Sequence, residues 1–161
     1  MQTILANSGR SVIAQAIRAR TAHMAWGTGD NSWGNTPPAP PNSASALLAE
    51  VARRRATLVD YCVADANGSI VVPEGRFSIS ATPTPNLYFK FHFEFSEGVG
   101  ATIREQAIFV DTVAANGVPS GQYYLLPAEV ANPGTMLVHQ RSTPIIRQAT
   151  TRQLFEFVVT F

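Results

Sequence analysis

Leu87-Tyr88-Phe89-Lys90-Phe91-His92-Phe93-Glu94-Phe95 alternates apolar and polar residues without a break. Side chains on a strand point to opposite faces in turn. Leu87, Phe89, Phe91, Phe93 and Phe95 therefore share one face, while Tyr88, Lys90, His92 and Glu94 share the other. One face is core and the other is wet or at an interface. The same period of two continues outward in both directions. It predicts strands over 58–63, 69–72, 76–80 and 101–110, with shorter ones over 122–126, 136–141 and 145–148. The last is Gln153-Leu154-Phe155-Glu156-Phe157-Val158-Val159-Thr160-Phe161, which places Phe155, Phe157, Val159 and Phe161 on one face and is expected to tie the C-terminus into a sheet. Asp65-Ala66-Asn67-Gly68 reads as a hairpin turn, since Asn-Gly suits the mirror-image turns that hairpins favour.

Upstream the period is helical. Asn7 or Ser8 is placed to cap a first helix in which Val12, Ile13, Ala16 and Ile17 fall on one face, with Arg18 and Arg20 at its cationic-friendly end. A short strand over 21–26 follows. Residues 27–42 hold glycines, prolines and Trp33, and the run Pro37-Pro38-Ala39-Pro40-Pro41 is stiff and extended. They read as a protruding arm on a single domain spanning 1–161. Ser43 or Ser45 then caps a second helix, from Ala46 to the cluster Arg53-Arg54-Arg55. The expected class is α+β, with two N-terminal helices packed on a mainly antiparallel β-sandwich.

Composition narrows the function. Of the 161 residues 45% are hydrophobic, but only 14% are charged, below the roughly 25% usual for soluble domains. Neutral surface is cheap to bury against a partner. The net charge is +1, which leaves no electrostatic footprint for nucleic acid. Lys90 is the sole lysine, and arginine loses less entropy per ordered contact. Cys62 stands alone, so it forms no internal disulfide and reads as a small buried hydrophobe. No apolar run reaches a membrane span and no signal peptide is evident. His23, His92 and His139 lack metal-site spacing, and no nucleophile elbow, zinc-protease or phosphate-loop motif occurs. Neither catalysis, cofactor nor metal is expected.

The residues left with a functional reading are aromatic and proline. Trp26 and Trp33 flank the glycine turn Gly27-Thr28-Gly29, and Trp suits half-dry contacts. Trp26, Trp33, Pro37, Pro38, Pro40 and Pro41 are the candidate interface. The alternative is a β-sandwich carbohydrate-binding module in which Trp26, Trp33, Tyr123 and Tyr124 stack on sugar rings.

Three ordered segments carry a family resemblance. They are Thr3 to Ala14 running into His23-Met24-Ala25-Trp26-Gly27-Thr28-Gly29-Asp30, then Ser45 to Arg54, then Ala101-Thr102-Ile103-Arg104-Glu105-Gln106-Ala107-Ile108-Phe109. Together they resemble the N-terminal region of phage tail-collar fibre and tail-fibre adaptor proteins, over residues 3–111. Gln106-Ala107 stand where that family has Val-Gly, and the 33–41 stretch is an elaboration. The resemblance implies a structural component of a tailed-phage virion, a baseplate or tail-fibre attachment subunit acting through interfaces. Such a protein is made in the host cytoplasm and resides in the tail. Its partners are other tail and baseplate proteins and copies of itself, with neither nucleic acid nor membrane. A chain stopping at Phe161 is expected to lack the host-touching tip. Under this reading a buried Arg104 needs a carboxylate. Glu50 on the second helix is the expected partner, so that a Glu50–Arg104 pair locks helix to sheet.

Overall fold

The computed structural model describes residues 2–161. In chain order its elements are α1 (Asn7–Arg18), β1 (Ala22–Gly27), β2 (Glu50–Arg55), β3 (Leu58–Ala64), β4 (Ile70–Val72), β5 (Gly75–Ile79), β6 (Asn86–Phe93), β7 (Thr102–Val110), β8 (Val113–Ala114), β9 (Tyr124–Leu125), β10 (Val130–Asn132), β11 (Thr135–Ile146) and β12 (Gln153–Thr160). The architecture is mainly antiparallel β with one α-helix among the described residues. The chain groups into two compact units. One runs up to Arg20 and includes Ala56–Phe91 and Leu154–Phe161; the other is Thr21–Arg55 with His92–Gln153.

The first unit carries most of the sheet β12-β6-β3-β5-β4, with the last two residues of β6 and the first of β12 grouped in the second. The alternation that opened the reading holds: Leu87, Phe89, Phe91 and Phe93 have no solvent exposure. Two details differ. The strand stops at Phe93, and Phe95 is exposed under the Arg152 guanidinium, 4.8 Å from its ring centre. Tyr88, on the nominally polar face, is buried in a second cluster with Cys62, Ile70, Val72 and Phe77. Its hydroxyl donates to the Glu156 carboxylate, and burial together with that neighbour pushes the phenol pKa upward. The Asp65–Gly68 turn forms, but β3 does not pair back onto β4. Instead β5 inserts between them, paired to both.

The helix α1 also departs from expectation in how it sits. Ala6 is its N-cap and no side chain caps it. Val12 and Ile13 are exposed, and Ala14 is its buried residue. It is fastened at its ends by Arg18, which pairs with Asp60 at 3.1 Å and lies over the Tyr61 ring, and by Arg10, which donates to the Phe161 carbonyl.

The second expected helix does not exist. Residues 44–49 are irregular, and Glu50–Arg55 is β2, an inner strand of the sheet β11-β7-β1-β2-β9. Ala, Leu, Glu and Arg are good helix formers, but the preference is only a few tenths of a kcal/mol per residue. The ladder to β1 outweighs it, running from His23–Arg55 to Gly27–Glu50. The two short strands predicted over 136–141 and 145–148 are one long strand, β11, whose register slips on β7 between Arg141 and Ile145.

This second unit is built around β1, buried along its whole length. Trp26 stacks on Phe93 with ring centres 3.5 Å apart. Arg53 is 2% exposed and fully occupied. Its Nε and one terminal nitrogen donate to the two Glu50 carboxylate oxygens at 2.7 Å, the other reaches Thr112 Oγ1 and the Pro133 carbonyl, and its plane lies over Phe109. Next to it on the sheet, His23 is buried, and desolvation, aided by the charges of Arg53 and Arg55, lowers its pKa to about 4. The folded chain holds this imidazole neutral while the unfolded chain protonates near the ordinary value of 6.5. Stability contributed by the neutral ring is therefore full above pH 6.5 and is lost as pH falls toward 4. At 1.36 kcal/mol per pKa unit the loss is about 3 kcal/mol. Urea titrations across that window are expected to show the parent chain losing about this much more stability than His23→Gln. Parallel pH profiles for the two would refute burial of the neutral ring as the cause.

Candidate functional site

The 27–42 arm leaves the sheet at the end of β1 and returns at the start of β2, so its two feet are neighbours. The Thr28 amide donates to the Ala49 carbonyl at 2.9 Å and closes the neck. Glu105 on β7 secures it. This side chain has no solvent exposure and lies directly opposite Gly27 in register. Its Oε1 accepts from the Leu48 amide at 2.7 Å and more distantly from Ala49, and Oε2 meets His139 Nε2 at 3.3 Å. The carboxylate can lie there only because residue 27 has no side chain: a Cβ would stand 2.5 Å from Oε1. Leu47, just beyond the neck, is buried with Ala25, Ala107 and Phe109.

Past the neck the arm is shaped by two further contacts. Gly29 has φ +59°, and the Trp33 ring packs where its Cβ would be, 2.3 Å away. Asp30 accepts from the Ser32 amide, which starts a short 3-10 turn. Arg141 of β11 then lies over Trp33 at 4.3 Å and donates to the Pro38 and Ala39 carbonyls at 3.2 and 3.3 Å. Between Pro40–Ala44 and Met136–His139 runs a cleft of about 200 Å³.

The predicted site residues separate accordingly. Trp33 is half-buried, Pro38 and Pro41 are exposed, and Pro37 and Pro40 are intermediate. Trp26 is fully buried in its own unit, so it offers no surface there. Glu50 and Arg104 are not brought together. Glu50 serves Arg53, while Arg104 donates to the Thr28 carbonyl at 3.3 Å. The sequence reading missed Glu105 as the buried member of the Arg-Glu dipeptide, and the strict alternation of β7 could not say which of the two turned inward. Nor do the four aromatics of the sugar-binding alternative form a platform. Beside buried Trp26 and covered Trp33, Tyr124 uses its hydroxyl to accept from the Gly98 amide, and Tyr123 lies under Arg55.

A second brace holds the loop after β6. Arg147, 2% exposed, donates to the carbonyls of Glu94, Glu97 and Thr151 and faces the Trp26 ring. Glu97 in turn pairs with Arg54 and accepts from the Glu94 amide. Among the described residues no group of three or more His, Cys, Asp or Glu could hold a metal. Glu105, Arg104, Arg141 and Arg147 each bond backbone groups.

The family model for the baseplate wedge 3 tail fiber network component matches residues 2–161. The chain belongs to that family. No curated protein matches it. The resemblance to phage baseplate and tail-fibre proteins therefore stands, and the chain is a structural component of the phage baseplate and tail-fibre region. In this component the Gly27 and Glu105 positions of the family-like segments meet at one point, the neck of the arm.

That meeting makes the neck sensitive in a specific way. Gly27→Ala should cost about 1–3 kcal/mol, because Glu105 and the backbone it holds must shift. Gly121→Ala, where an added Cβ meets nothing within 4 Å, should stay within about 0.5 kcal/mol. Chemical denaturation of the two variants tests this, and equal costs would remove the close approach as the explanation.

Proposed function

We propose that this chain is an adaptor subunit that joins tail-fibre proteins to the baseplate through subunit interfaces, with the 27–42 arm as a docking element and with copies of itself among its partners. The observation that carries the reading is the arm's construction. A proline-rich segment is fastened at its neck by Glu105 and Arg104 and along its course by Arg141, while Pro38 and Pro41 face solvent. A segment already held in shape loses little entropy on docking. The low charge of the chain, 14%, supports the same reading, because the surface to be buried carries few ions to desolvate. Its place in a baseplate and tail-fibre family supports the partners. The reading assigns no catalytic role to any residue.

The test is to replace Ser32–Pro41 by a short Gly-Ser linker, which keeps the neck and Leu47. The variant should still unfold cooperatively, with a melting temperature close to the parent's. Virions assembled with it in place of the parent should lack the subunit, as read by quantitative mass spectrometry. Normal copy number in the particles would overturn the docking role. Loss of folding would show that the arm is part of the core.

A further inference from the structure

We infer that the outer edge of β12 pairs with the same edge of a second copy of this chain, antiparallel about a two-fold axis at Phe157. This rests on the self-association part of the reading above and is independent of the arm.

The two five-stranded sheets end in four outer strands: β11 and β9 in one, β12 and β4 in the other. An outer strand presents a row of backbone donors and acceptors to any other extended chain, and proteins blunt such edges by shortness, proline, lysine, bulges or cover. Three of the four are blunted. β9 and β4 have two and three residues. β11 is long, but Pro144 interrupts its donors, its register slips twice, and Arg141 holds the arm's carbonyls against it. β12 is blunted by neither shortness, proline nor lysine. It is eight residues long and contains no Pro, Gly or Lys. Its one charge, Glu156, is turned to its own sheet, where it accepts from Tyr88. Leu154 is 44% exposed, and Phe157, Val158 and Val159 are all only partly buried.

The sequence of β12 also selects the occupant. Residues directly opposite in an antiparallel pair lie on the same side of the sheet, so a two-fold axis normal to the sheet passes beside one residue of each strand. An axis at Glu156 sets two carboxylates face to face. An axis at Phe157 keeps as long an overlap and avoids this. Phe157 then meets Phe157, Phe155 meets Val159, Glu156 meets Val158, and Leu154 meets Thr160 of the other copy. Aromatic–aromatic and aromatic–β-branched pairs are the favourable combinations. The strand is thus its own complement, and pairing joins two five-stranded sheets into one. A single strand pair is a small interface, so the contact is weak in isolation and gains strength where copies are held side by side.

The register supplies the test. Leu154 and Thr160 are exposed, so the double variant Leu154→Cys with Thr160→Cys leaves the core intact. Across the proposed pair these positions are about 4.5–5.5 Å apart at Cα, within reach of a disulfide. Within one chain they are about 20 Å apart, so no internal bond forms. Cys62 stays out of the exchange, since it is fully buried and burial pushes its thiol up to about 11. Mild oxidation of the purified double variant should give a covalent dimer on a non-reducing gel, at least about tenfold more than either single variant gives. Melting curves under reducing conditions check that all three variants fold. Equal dimer from a single variant would overturn the register, and a monomer throughout would overturn the pairing, as it would if a different protein occupies the edge. The variant with the arm replaced should cross-link as well as the parent background, so failure here and failure of the docking role are separately visible.

Discussion

A carboxylate with no access to water must find its donors inside the protein, and Glu105 finds them in the backbone of a distant segment. Its hydrogen bonds to Leu48 and Ala49 fix where the chain re-enters the sheet, and hence where β2 begins. With β2 placed, Arg53 falls over Phe109 and reaches Glu50, Thr112 and the Pro133 carbonyl. Removing the carboxylate would release the Leu48 and Ala49 amides from the partner that holds them at the sheet's edge. Gly27 belongs to the same constraint, since any side chain there would occupy the space the carboxylate needs.

The strands were the legible part of this protein. The alternation over 87–95 located β6 and the face that became core, because a period of two depends only on the residues themselves. The stretch 46–55 was not legible for the opposite reason. Its residues favour a helix in isolation, and what overrides them is a ladder to β1, more than twenty residues away in sequence. The loop between β1 and β2 was visible as composition, yet its fastening was not. Nothing in the spacing of Arg104, Glu105 and Arg141 announces that they converge on the feet and flank of one loop. The expected partner of Arg104 was a carboxylate, and the structure supplies a carbonyl instead.

The scarcity of lysine acquires a second explanation from the structure. Low entropy loss at interfaces was one reason to prefer arginine, but Arg53 and Arg147 are used inside the chain. Each spreads its planar fork across three or four acceptors and lays its face on an aromatic ring, at 4.4 Å from Phe109 and 5.3 Å from Trp26. An ammonium, with three donors at one point and no flat face, cannot do both. Part of the arginine content is thus structural bracing that composition alone credits to the surface.

The closed neck between Thr28 and Ala49 has a consequence for how such a chain can change over time. Because the two feet are already joined, what lies between them adds to the unfolded state's freedom only logarithmically: each doubling of loop length costs about 0.6 kcal/mol. Insertions, deletions or exchange within 32–41 leave Leu47, the ladders and the buried arginines where they are. The tip is a cassette, free to be rewritten, while Gly27 and Glu105 cannot drift without the sheet itself being redrawn.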